Sequence, residues 1–154
     1  MGRGLTVTPV WGMPLRVSPG LGLVVVGLAV AFGLAPQSRS LALYLAAVLA
    51  SVLVHELAHG LAARASGYDV DAVVLTLFGA RTVWSGPEPD ARTMLLISAA
   101  GPAASAALAC IAVIVGWRSV AGMNLTIALV NLVPIRGLDG WVIWRAATSS
   151  ALEP

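Results

Sequence analysis

The stretch Val54-His55-Glu56-Leu57-Ala58-His59-Gly60 decides how the rest of the chain is read, because it sets a metal-binding pattern inside an apolar run. On an α-helix, residues four apart lie about 40° apart around the axis, so His55 and His59 place two imidazoles on one face within reach of one ion. Zinc is the expected metal. Glu56 points close to the same face, where a carboxylate can take a proton from activated water and pass it to a leaving amine. The three residues read as two ligands and a general base. A catalytic zinc needs a third protein ligand and an open position, so one more ligand must come from elsewhere in the chain.

The alternative is that the five residues are solvated on an ordinary amphipathic helix, and the surroundings weigh against it. Leu41 to Leu53 carries no charge, and His55 and His59 are the only histidines. Ionisable groups at membrane depth are costly unless paired, metal-bound or facing a wet cavity. The whole composition agrees: 154 residues, 58% hydrophobic and 10% charged, with a mean hydropathy of +0.90, lie outside the range of a soluble domain. All nine basic residues are arginine and are spread along the chain, which bears on membrane topology and gives no nucleic-acid-binding patch. Cys110, the sole cysteine, reads as a small buried packing residue.

The expected fold is all-α and polytopic, with about four transmembrane helices over 20–35, 40–64, 91–117 and 120–146 and short membrane-associated β elements, all in one domain over 1–154. Leu5-Thr6-Val7-Thr8 and Leu15-Arg16-Val17, separated by Pro9, Gly12 and Pro14, read as strand-like pieces at the membrane surface. The first apolar run is short for a bilayer core of about 30 Å, and a cleaved signal peptide is its competing reading. Residues 68–84 read as a β-hairpin turning at the glycine, able to pack on the bilayer or offer an edge to an extended peptide. Gly101-Pro102 and the Ala/Ser-rich stretch after it suit close helix packing in lipid.

The fourth span is interrupted at Pro134 and Gly137, and beside the break stands Asp139. An acidic oxygen donor in an apolar segment is the best candidate for the missing ligand, against an aspartate that caps a helical turn or pairs with Arg136 or Arg145. Counted along their spans, His55, His59 and Asp139 fall about 22 to 28 Å from one membrane face, so they can meet at one level.

His55 to His59 followed by Asn131-Leu132-Val133-Pro134-Ile135-Arg136-Gly137-Leu138-Asp139-Gly140 resembles the site-2 protease family of intramembrane zinc metalloproteases. That family is marked by His-Glu-x-x-His in one transmembrane helix and Asn-x-x-Pro-x-x-x-Leu-Asp-Gly in a later one. The resemblance implies one zinc ion held by His55, His59 and Asp139, Glu56 as catalytic base, and Asn131 as a contact to the substrate backbone. It implies cleavage of a transmembrane protein or peptide within the lipid bilayer. The sequence departs from the family at Ser105, where asparagine is frequent, and at Arg136 and Gly137, where proline is frequent. It leaves no room for the PDZ or CBS domain of many members, so regulation falls to a separate partner or is absent. With Arg3, Arg16, Arg64, Arg81, Arg92 and Arg145 on one side and Arg39 and Arg118 on the other, the positive-inside rule puts both termini in the cytoplasm and suits the plasma membrane. A non-proteolytic module binding a metal or a partner is the alternative, weakened by Glu56, and a transporter is weakened by the lack of an internal repeat.

Overall fold

A computed structural model describes residues 5–34, 39–76 and 79–150. Nine elements follow in chain order: strands β1 (Leu5–Val10) and β2 (Met13–Val17), helices α1 (Pro19–Leu34) and α2 (Arg39–Ala65), strands β3 (Asp69–Thr76) and β4 (Gly79–Ser85), and helices α3 (Ala91–Ile114), α4 (Arg118–Asn131) and α5 (Asp139–Ser150). The helical character and the hairpin agree with the sequence reading. Ala35 and the hairpin residues Leu77 and Phe78 lie outside the described residues.

The β elements are more than surface fragments. The four strands form one sheet in the order β1-β2-β3-β4, antiparallel within each hairpin and parallel between β2 and β3. A parallel pairing needs a crossover, and here the crossover is α1 and α2, which leave the sheet and return to it. Both hairpins therefore lie at the same end of the helices. Trp11 and Gly12 turn the first hairpin with positive φ (50° and 75°), and Arg64 Nη1 donates to Trp11 O at 2.7 Å, tying that turn to the end of α2. Met13, Leu15 and Val73 pack on Leu57 and bury the sheet's inner face against the second half of α2.

Two helices are long and apolar enough to cross a bilayer, Ser40–Ala65 and Ala91–Ile114. At 27 residues α2 is about 40 Å long. It stops where Gly67, with φ of 88°, turns the chain, and Tyr68 N and Gly67 N donate back to Ala63 O and Arg64 O. Asp90 caps α3, accepting from Thr93 N at 2.7 Å, and the hydrogen bonds from Thr93 hold its carboxyl below the usual carboxylate range.

The fourth span, 120–146, is broken where the sequence reading interrupts it, and one expectation needs correction. The break separates α4, of 14 residues, from α5, of 12, about 21 and 18 Å long and each too short to cross alone. Pro134 has no N–H to continue α4, and Gly137, at φ of 97°, reverses the chain. Cys110 is exposed on the outer face of α3 instead of buried. The buried face of α3 is Ile97, Ser98, Gly101, Pro102, Ser105, Ala109 and Ala112, which leaves Cys110 directed away from the bundle.

The break is held tightly. A Cβ at Gly140 would run into the backbone of Leu132 and lie 2.6 Å from Val133 O, so the start of α5 passes directly over the exit of α4. At Gly122 on α4 a Cβ would meet nothing within 4 Å. Gly140→Ala is expected to cost about 1–3 kcal/mol through overpacking, with Gly122→Ala neutral or slightly stabilising. Thermal unfolding of the two variants in detergent checks the contrast, and equal midpoints would refute the close crossing.

Candidate metal centre

His55, Glu56 and His59 are all buried within the apolar α2, and Asp139 opens α5. The chain reversal over 132–138 brings these two elements together. His55 Nε2 lies 3.1 Å from Asp139 Oδ2, and His59 Nε2 lies 3.4 Å from Asp139 Oδ1. One donor atom from each residue falls within 4.8 Å of the others, the one such group among the described residues. Neither arginine that could have claimed Asp139 does so, and Arg136 instead lies over the ring of Trp141, 5.4 Å from its centroid.

The opposite edges of the imidazoles are fixed from α3. His59 Nδ1 lies 2.7 Å from Ile97 O, and a carbonyl only accepts, so Nδ1 carries the proton and donates. That leaves the lone pair of His59 Nε2 facing Asp139. His55 Nδ1 lies 2.9 Å from Ser105 Oγ, itself fully buried. Such outer partners set tautomer and ring orientation at metal sites. Gly101 stands between them, one turn from each. A Cβ there would collide with His59 Nε2 and lie 2.6 Å from His55 Nε2, so only glycine lets α3 approach this closely.

The donor set fits a tetrahedral ion. With metal-ligand bonds of about 2.0–2.2 Å, adjacent ligands sit about 3.3–3.6 Å apart, close to the His–Asp separations of 3.1 and 3.4 Å, which run to the two different carboxylate oxygens. Two neutral imidazole nitrogens and a carboxylate with one position left open are the donors that a hydrolytic zinc takes.

Glu56 is oriented from the sheet. Thr82 Oγ1, on β4, lies 2.7 Å from Glu56 O and 3.1 Å from Glu56 Oε2, and its single hydroxyl proton is shared between these two acceptors. The four residues face a cleft of about 260 Å³, where Thr82, Arg81, Ser98 and Asn131 supply polar lining. Asn131, at the last turn of α4, donates from Nδ2 to Ile127 O at 2.9 Å, which keeps its second amide hydrogen and Oδ1 available. All five residues singled out in the sequence thus border one cleft. Thr82 and the carbonyl of Ile97 gave no signal there, and Ser105 stood out only as a departure from a family pattern.

The family model described as Peptidase family M50 matches residues 43–121. The chain belongs to peptidase family M50. Membership bears out the resemblance drawn from the two motifs and places the chain among membrane metalloproteases. The structure is also similar to that of the site-2 protease from Methanocaldococcus jannaschii, with a TM-score of 0.74 and 23% identity over 97% of this chain and 74% of that one, a likeness of fold. No curated protein matches the sequence.

The outer partners generate a graded expectation. Ser105→Ala is expected to weaken zinc binding about 10–100-fold, and Gly101→Ala to abolish it by filling the space at both Nε2 atoms. Competition with a chromophoric chelator reads both, and unchanged affinity in either variant would show that α3 does not shape the site.

Proposed function

We infer that this M50 peptidase is an intramembrane endopeptidase that holds one zinc ion on His55, His59 and Asp139 and cuts a peptide bond within or near a transmembrane segment. The observation that carries the reading is the meeting of both imidazoles and the carboxylate at 3.1 and 3.4 Å beside the buried Glu56. A purely structural metal would be closed by a fourth protein ligand and would need no neighbouring base.

Zinc bound there supplies Lewis acidity, polarising a peptide carbonyl and making water a stronger acid. Glu56 then takes the proton of the water that attacks the scissile carbon and delivers it to the departing amine nitrogen. Thr82 restrains that carboxylate from the sheet side, Ile97 O turns the lone pair of His59 Nε2 inward, and Ser105 orients the ring of His55. Asn131 offers its remaining amide hydrogen and Oδ1 to the substrate backbone.

A transmembrane helix cannot be cut while its carbonyls are bonded within the helix, so the substrate unwinds locally. β4 is an outer strand of the sheet and borders the cleft through Ala80, Arg81 and Thr82, where its free edge suits an extended chain. The arginine distribution favours a cytoplasmic sheet end, with the metal in the inner half of a cell membrane.

Purified protein is expected to cleave a membrane-embedded reporter, with Glu56→Gln reducing the rate by at least 10²-fold while retaining zinc. Removal of zinc by a chelator is expected to stop cleavage and its return to restore it. Cleavage by Glu56→Gln at the original rate would sink the base assignment. Proline at those positions of Gly79–Ser85 whose amides face away from β3 is expected to slow cleavage without loss of zinc; undiminished cleavage in all of them would exclude edge pairing.

A further inference from the structure

Two adjoining cavities form a groove that leads away from the metal centre for about 20 Å along α4. It is open between one face of α2 and one face of α4. On α2 the face is Tyr44, Val48 and Val52, then His55 and Glu56, and on α4 it starts at Arg118 and ends at Asn131. The groove comprises a segment of about 590 Å³ at the Arg118 end and one of about 400 Å³ at the catalytic end, which share Val52, Thr126 and Ile127. Away from the groove, buried Asn124 donates from Nδ2 to Ser51 Oγ at 3.0 Å and so joins α4 to α2.

Two features bear on what this groove can hold. The groove ends in the cleft at Glu56 and beside Gly79 and Ala80 of β4, so whatever lies in it is delivered to the metal centre and to the sheet edge. Its walls are otherwise uncharged up to Arg118, whose guanidinium forms no ion pair among the described residues. Arg118 follows the exposed Trp117 at the end of the molecule away from the sheet, the place of an arginine at a membrane-water boundary.

We propose that this groove seats the still-helical part of the transmembrane substrate, with Arg118 holding an acidic side chain of that substrate. The proposal rests on the intramembrane endopeptidase reading and adds to it a substrate class. The 13-residue step from Arg118 to Asn131 spans about 20 Å, so the acidic residue lies about 13 helical residues from the bond cut, on the side away from the sheet. A neutral apolar helix without it fits the walls but lacks the anchor that sets its depth, and depth decides which peptide bond reaches Glu56.

The test reads binding without cleavage. In the zinc-loaded Glu56→Gln protein, Cys110→Ser with Gly122→Cys puts a single thiol in the groove, and the open space at Gly122 accepts it. The probe is a synthetic Leu/Ala transmembrane peptide in phosphatidylcholine vesicles, carrying one Asp near its outer end and one Cys a turn further in. Oxidative cross-linking is expected to be well above that of the Glu56→Gln protein with its native Cys110, which faces outward on α3. Arg118→Glu is expected to lower the yield about threefold to fivefold, as for one interfacial ion pair, and Asp→Lys in the probe to restore it. Yields at Gly122→Cys no greater than at Cys110, or indifferent to the charge of residue 118, would overturn the proposal. Because no hydrolysis is read, this result is separate from the Glu56→Gln cleavage comparison, and either can fail while the other stands.

Discussion

The contact between Asp139 and the two imidazoles of α2 is the constraint on which the rest of the structure depends. Three ionisable groups stand among helices whose outer faces are apolar, and in lipid such groups are tolerated when paired or metal-bound. Each neighbouring element is shaped to allow that meeting. Gly101 removes the side chain that would stand between α3 and both Nε2 atoms, and Gly140 removes the one that would hold α5 away from the end of α4. Pro134 and Gly137 end one helix and turn the chain so that another can begin at the depth of the histidines. The break that makes the fourth segment too short to cross as a single helix is the same feature that delivers the aspartate.

The sheet has a matching role at the other side of the site. Its hydrogen-bonded backbone satisfies itself within the sheet, which lets irregular chain approach a membrane-embedded cleft without orphaned amides except along β1 and β4, its outer strands. Met13, Leu15 and Val73 anchor it on Leu57, one residue past Glu56, so the sheet and the base share a foundation. Thr82 then carries the position of β4 directly to the carboxylate through one hydroxyl.

Much of the site was legible because it is written in local period. Histidines four apart on an apolar helix, and an aspartate just after a proline and a glycine, can be interpreted without knowing any neighbour. The fold was less so. The strand pieces before α1 and the hairpin after α2 were visible, but their parallel pairing joins residues more than fifty positions apart, as Leu15 and Val73 do. No local pattern encodes that. Ser105 was seen only as a substitution, because its meaning lies in the 2.9 Å contact across to His55. Cys110 misled because an apolar composition suggests burial in water, whereas in lipid the outside of a helix is equally apolar.

Hydrolysis inside a bilayer sets two demands that conflict, and the arrangement of polar groups suggests how they are met on the proposed reading. A substrate helix is most stable in lipid with every backbone group bonded internally, and each group freed there costs several kcal/mol. Unwinding is therefore affordable only where replacement partners already stand. The α2–α4 groove is apolar over most of its length and offers few such partners, so a helix lying in it stays wound. At its inner end Asn131, Thr82 and the β4 edge appear together beside Glu56. The transition from apolar wall to polar cleft thus fixes where the substrate opens, and it does so at the level of the ligands because α4 ends there at Asn131 and α5 begins there at Asp139.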